Sequence, residues 1–171
     1  MKYLKYINES GGQTNPMIRV KGKLDFSPED RTKKHKNQSS WKRTAMILTR
    51  CDIDKYYAWF LKSRFNLELN KNLRGSHITI ISDRMDQKTF DEGAKIFQGK
   101  EIEFFYDPKD INSSGKHWWI NIHCPDAENI REALGLKRIP YFGFHLTIGH
   151  ANEKNAYHSE YILNQIKRFG L

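Results

Sequence analysis

Two tetrapeptides, His77-Ile78-Thr79-Ile80 and His145-Leu146-Thr147-Ile148, hold the residues best suited to chemistry in this chain of 171 residues. In an extended strand, positions i and i+2 share a face. Each segment therefore presents an imidazole and a hydroxyl on one side and two apolar residues on the other. Imidazole has an unperturbed pKa of about 6.5, so one ring can take a proton while a second gives one. A threonine hydroxyl can donate to a phosphate oxygen and hold phosphorus for in-line attack. Two imidazoles and two hydroxyls converging on one groove suit phosphodiester hydrolysis, in a scheme that needs neither metal nor cofactor. One such segment is a weak signal, because a strand histidine beside a threonine is usually structural. Two at equivalent places in a repeat are a strong one.

The elements that must position them do repeat. Strands are expected over 17–24, 44–49 and 76–81, with a helix capped by Asp52 before the third and one capped by Asp86 after it. The first helix carries Ile53, Tyr56, Tyr57, Phe60 and Leu61 inward; the second carries Phe90, Ala94 and Phe97 and stops at Gly99. The order recurs with strands over 101–106, 116–124 and 144–148, the first two separated by a loop rich in Asp, Pro, Ser and Gly. Pro125-Asp126 opens a helix with Ala127, Ile130, Ala133 and Leu134 inward, and the last helix turns Ile162, Leu163, Ile166 and Phe169 inward. Cys51 and Cys124 both fall at a strand-to-helix junction. The halves, about 17–99 and 100–171, each read strand, strand, helix, strand, helix, and internal repetition fixes architecture. The expected fold class is α+β, bilobal and pseudo-symmetric. Two β-β-α-β-α halves place antiparallel sheets about a central groove and share a core. Residues 1–40 read as a basic polar arm with a possible edge strand, and 41–171 as a single bilobal domain.

In this setting the paired segments resemble the signature of the two-histidine (2H) phosphoesterase superfamily. That signature is two H-x-T/S motifs, each flanked by apolar residues, on central strands of a bilobal fold. The superfamily includes RNA 2′,3′-cyclic phosphodiesterases once called 2′-5′ RNA ligases. It also includes phage enzymes that destroy cyclic-oligonucleotide defence signals, and RNA-repair-like proteins. The resemblance covers about residues 42–171. It implies that His77 and His145 are catalytic, that Thr79 and Thr147 bind phosphate, and that hydrolysis is metal-independent. It leaves open which histidine is the base. It also leaves open whether the substrate is a small cyclic oligonucleotide or an RNA 2′,3′-cyclic phosphate.

Charge points to the same class of partner. The chain has 29 Lys+Arg against 20 Asp+Glu, a formal +9. Residues 1–43 carry 11 and 4 of these, a net +7, and residues 44–171 carry 18 and 16, a net +2. Lys33, Lys34 and Lys36 lie in a run that ends in Trp41 and Arg43. Cations there neutralise phosphates and the indole can stack on a base; a solvated loop that aids solubility is the plain alternative. Trp119, on the mixed face of the strand over 116–124, and Tyr141, just before the second motif, are candidate groove-wall aromatics, and Arg43 and Arg74 candidate phosphate contacts. Glu68 or Asp83 could orient an imidazole. His123, His150 and His158 have no metal-ligand spacing, so no metal site is expected.

The remaining classes are narrowed by composition. No apolar run approaches the roughly 20 residues of a membrane span, and the first residues lack the apolar core of a secretory signal. Two cysteines are too few for a disulfide framework and are expected to be reduced thiols in a cytoplasmic protein. No obligate protein partner is implied. The rival class is a non-catalytic RNA-binding module on the same fold, in which replacing His77 or His145 would leave function intact.

Overall fold

The computed structural model describes residues 3–4, 17–26, 43–72, 75–82, 85–152, 156 and 158–170. Among these, nine strands form one curled antiparallel sheet and four helices pack on it. The first half supplies β1 (Tyr3–Leu4), β2 (Met17–Phe26), β3 (Ala45–Leu48), α1 (Ile53–Phe65), β4 (Leu69–Asn70), β5 (His77–Ile81) and α2 (Gln87–Phe97). The second supplies β6 (Glu101–Tyr106), β7 (Ile111–Ser113), β8 (His117–Asn121), α3 (Pro125–Ala133), β9 (His145–Ala151) and α4 (His158–Phe169).

The strands run in the order β6, β2, β3, β5, β9, β8, β7, with β1 beside the start of β2 and β4 beside the end of β9. Phe105 of β6 pairs with His123, just past β8, through two backbone hydrogen bonds of 2.8 Å. That contact curls the sheet back on itself. β2 lies inside the sheet, between β3 and β6, rather than at its edge. The halves form one sheet, and the motif strands β5 and β9 are direct neighbours at its centre.

One rung crosses five strands as Ile47, Ile78, Leu146, Ile120 and Ile111, all buried. Helices cover this face. Ile53, Tyr57 and Leu61 of α1, Phe90 of α2, Ala127 and Ile130 of α3, and Ile162 and Ile166 of α4 join it in a single core. Burial at this density is the main favourable term in the fold. The halves are interlocked, because α1 packs on β9 and α3 packs on β5. Arg131 of α3, 2% exposed, donates to the carbonyls of Ile80 (2.6 Å) and Lys137 (2.7 Å), tying α3 to the end of the first motif.

Several local expectations change. Asp86 caps α2 through the Thr89 N–H at 2.9 Å, but Asp52 makes no cap bond and pairs with Lys55 at 2.7 Å. Residues 111–113 form β7 rather than loop, because Ile111 completes the buried rung against Ile120. Tyr56 and Phe169 point outward, at 56% and 61% exposure. The helical period turns Tyr56 away from the line of Ile53, Tyr57 and Leu61, and Phe169 lies in the last turn of α4. Ala133 is exposed as well. No described helix is long and apolar enough to cross a membrane.

Candidate active site

The antiparallel register that sets Ile78 opposite Leu146 decides the site. Their neighbours point to the opposite face. It brings His77 across from Thr147 and Thr79 across from His145. All four are half-buried, while Ile78, Ile80, Leu146 and Ile148 are buried. Directly opposed side chains in such a pair lie about 4.5–5.5 Å apart at Cβ. The two imidazoles thus take one diagonal of a small quadrilateral and the two hydroxyls the other.

The repeat extends to irregularities. Pairing shifts between Ala45 and Met46 on β3, opposite Ile81 and Thr79, and between Trp118 and Trp119 on β8, opposite Gly149 and Thr147. Ile80 and Ile148, the fourth residues of the two motifs, are thus the extra residues of equivalent bulges. Bulges re-aim the side chains beside them and are common at active sites.

Each imidazole is held from behind by a backbone carbonyl. His77 Nδ1 lies 2.9 Å from Gly75 O, and His145 Nδ1 lies 3.3 Å from Gly143 O. A carbonyl only accepts, so in these contacts Nδ1 is the donor. The Asn72 amide stands 3.4 Å from the same nitrogen of His77. Both glycines have positive φ, 71° and 67°, and end equivalent turns whose N–H groups donate to Asn72 O (3.3 Å) and Pro140 O (2.9 Å). A Cβ would meet nothing within 4 Å at either position, so the backbone angle rather than space favours glycine. The motif is therefore Gly-x-His-x-Thr in both copies, a regularity visible in the sequence once the two segments are aligned.

The flanks of the site differ between halves. Thr79 and His77 pair outward with Met46 and Leu48, whereas Thr147 and His145 pair outward with Trp119 and Asn121. Trp119 is half-buried, and its ring stands 6.4 Å from His145 at 64°. Its indole N–H donates to Asn121 Oδ1 at 3.1 Å, and Asn121 Nδ2 donates to Asp110 Oδ2 at 3.0 Å. Beyond Trp119, His117 and His150 pair with rings 4.6 Å apart. Burial first, then the neighbouring His117, holds the His150 pKa below its ordinary value.

Of the residues expected at the site, His77, Thr79, His145, Thr147 and Trp119 come together. Tyr141 is 94% exposed and meets Phe142 edge-on at 4.8 Å, in the turn leading to His145. Arg43 donates to the Met85 carbonyl, a backbone partner rather than a motif residue. Trp41, Arg74, Lys33, Lys34, Lys36 and Asp83 lie outside the described residues. Glu68 pairs with Lys62 at 2.9 Å, and a backbone carbonyl meets Nδ1 of each imidazole. Asn121 and Asp110 were not foreseen. Both cysteines are free, and burial raises both thiols, Cys124 to about 12, so neither is a thiolate near neutrality. Among the described residues no group of three or more His, Cys, Asp or Glu could hold a metal.

A family model described as "Swiss Army Knife, 2H phosphoesterase domain" matches residues 45–156, which contain both motifs. Comparison with curated proteins and with solved structures gives no match.

Proposed function

The chain belongs to the 2H phosphoesterases, and from that premise we propose that it is a metal-independent phosphodiesterase acting on a nucleotide. The observation that carries this reading is the crossed register of the two motifs. A phosphate seated over the Ile78–Leu146 rung has an imidazole at each end of one diagonal. In-line displacement needs its base and acid on opposite sides of phosphorus, and the diagonal supplies them.

One neutral imidazole takes the proton of the attacking water as its oxygen bonds to phosphorus. The other, protonated, gives its proton to the leaving oxygen as the old P–O bond breaks. Thr79 and Thr147 donate to the non-bridging oxygens, whose charge grows in the transition state. The Gly75 and Gly143 carbonyls hold each ring so that Nε2 does the transfer. The substrate is an RNA 2′,3′-cyclic phosphate end or a small cyclic oligonucleotide, gathered by the basic N-terminal arm.

The test is a panel of 2′,3′-cyclic nucleotides, RNA with a cyclic phosphate end, and cyclic di- and trinucleotides, with product linkage read by mass spectrometry. Hydrolysis that is indifferent to EDTA and bell-shaped in pH is expected. Turnover of none of them, or turnover abolished by the chelator, overturns the proposal.

A further inference from the structure

A cavity of about 380 Å³ opens beside the second motif, within the roughly 300–1,000 Å³ usual for small-molecule sites. Its wall includes Gly143 and Phe144, the two residues before His145, and Asn121, the strand partner of His145. The cavity therefore lies next to His145, both along the chain and across the β8–β9 ladder.

Its charge is opposite to that of the arm. Asp107, Asp110 and Glu128 line it, with no Lys or Arg among its described lining residues. Glu128 is offset from outside by Arg138 at 3.1 Å. Asp107 and Asp110 add to an acidic lining, which suits an uncharged part of a nucleotide better than a phosphate. Ile139 and Phe144 offer it apolar surface. The exposed ring of Tyr141 lies in the turn that ends at Gly143.

Asp110 is held in one orientation. Its Oδ1 accepts from Asn112 Nδ2 at 2.9 Å and its Oδ2 from Asn121 Nδ2 at 3.0 Å. A carboxylate oxygen has two lone pairs. Each oxygen thus keeps a second lone pair for a further donor. The two acceptor oxygens of one carboxylate match two adjacent N–H donors, the pattern of the guanine N1–H and N2–H edge. Adenine offers its amino group beside an acceptor, and uracil offers one N–H between two carbonyls.

We infer that this cavity is a nucleobase subsite which selects a guanine-type edge for the nucleoside on the His145 side of the phosphate. The inference rests on the nucleotide phosphodiesterase reading above and narrows its substrate. It is tested by calorimetric titration of the full chain carrying His77→Ala, which slows turnover so that binding is read. The probes are the 2′,3′-cyclic monophosphates of guanosine, inosine, adenosine and uridine. Guanosine is expected to bind about tenfold or more tighter than the other three, the scale of one bidentate base contact. Asp110→Asn should remove that preference and leave uridine binding unchanged. Equal binding of all four, or binding of none, overturns the inference without recourse to any Asp110 variant. So does an Asp110→Asn loss shared equally by every base. Base preference in a chain that hydrolyses nothing would sink the phosphodiesterase reading and keep the subsite. Hydrolysis without base preference would do the reverse.

Discussion

His77 and His145 occupy the same local frame and different neighbourhoods. Each follows a glycine of positive φ whose carbonyl meets Nδ1, and each precedes a threonine and an equivalent bulge. Outward, the first motif meets Met46 and Leu48, and the second meets Trp119 and Asn121. Met46 is fully buried, whereas Asn121 is exposed and tied into a polar network with Asp110. The local frame is thus duplicated and the flank is not. A phosphodiester itself is close to two-fold symmetric about phosphorus, but the groups on its two sides differ. A pseudo-symmetric site with one polar, aromatic flank fits that division.

The largest effect tests the duplicated part. His77→Ala and His145→Ala should each lower kcat/KM by about 10²–10⁴-fold, the range for a lost general acid or base. Because base and acid act in one step, the double variant should be little slower than the worse single one. Near-normal turnover in either single variant would break the equivalence. Next come the hydroxyls. Thr79→Ala and Thr147→Ala should each cost about 10²-fold in kcat, and Thr→Ser at either position should recover most of it. A large inequality between the two would place the phosphate off the pseudo-axis, towards the costlier threonine.

The flanks should separate binding from stability. Trp119→Ala removes an aromatic face beside His145, and loss of one base-stacking ring should raise KM about tenfold. Met46→Ala, at the equivalent register position, empties fully buried volume. It should cost about 2–5 kcal/mol in denaturant unfolding and leave the KM of the folded fraction unchanged. If Met46→Ala raised KM as much as Trp119→Ala, the two flanks would be functionally alike and the contrast would fail.

The motif faces were legible in the sequence because strand alternation is a local rule: Ile78 and Leu146 had to turn inward if His77 and His145 turned out. The strand order of each half followed from hydrophobic period, and the shared core from the shortness of the halves. What local pattern does not reveal is pairing between distant strands. That β5 and β9 are adjacent, with Ile78 opposite Leu146, depends on long-range register. The network of Asp110 with Asn121 depends on β7 joining β8, and β7 is only three residues long. The Gly75 and Gly143 carbonyls were within reach of inspection. Aligning the two motifs two residues further upstream shows the repeated glycine, whose positive φ aims the carbonyl at the ring.

The smallest effect lies where the second half continues past Trp119. His150 meets the His117 ring at 4.6 Å, and its pKa is depressed by burial first and by His117 second. A histidine whose folded pKa lies below its unfolded value binds fewer protons folded than unfolded. Its contribution to stability is therefore complete above the unfolded value of about 6.5 and falls away as pH drops through that value towards the folded one. His117→Ala removes the lesser cause and leaves burial in place. The His150 titration followed by NMR should then move upward, yet stay below the ordinary value. Because Asn70 pairs with His150 from the other side, the substitution leaves His150 flanked on that edge, and kcat should hardly change. A downward shift would mean that the His117 ring supports protonated His150 instead of opposing it. The pair would then share a proton, making this end of the second half a further point of departure from the first.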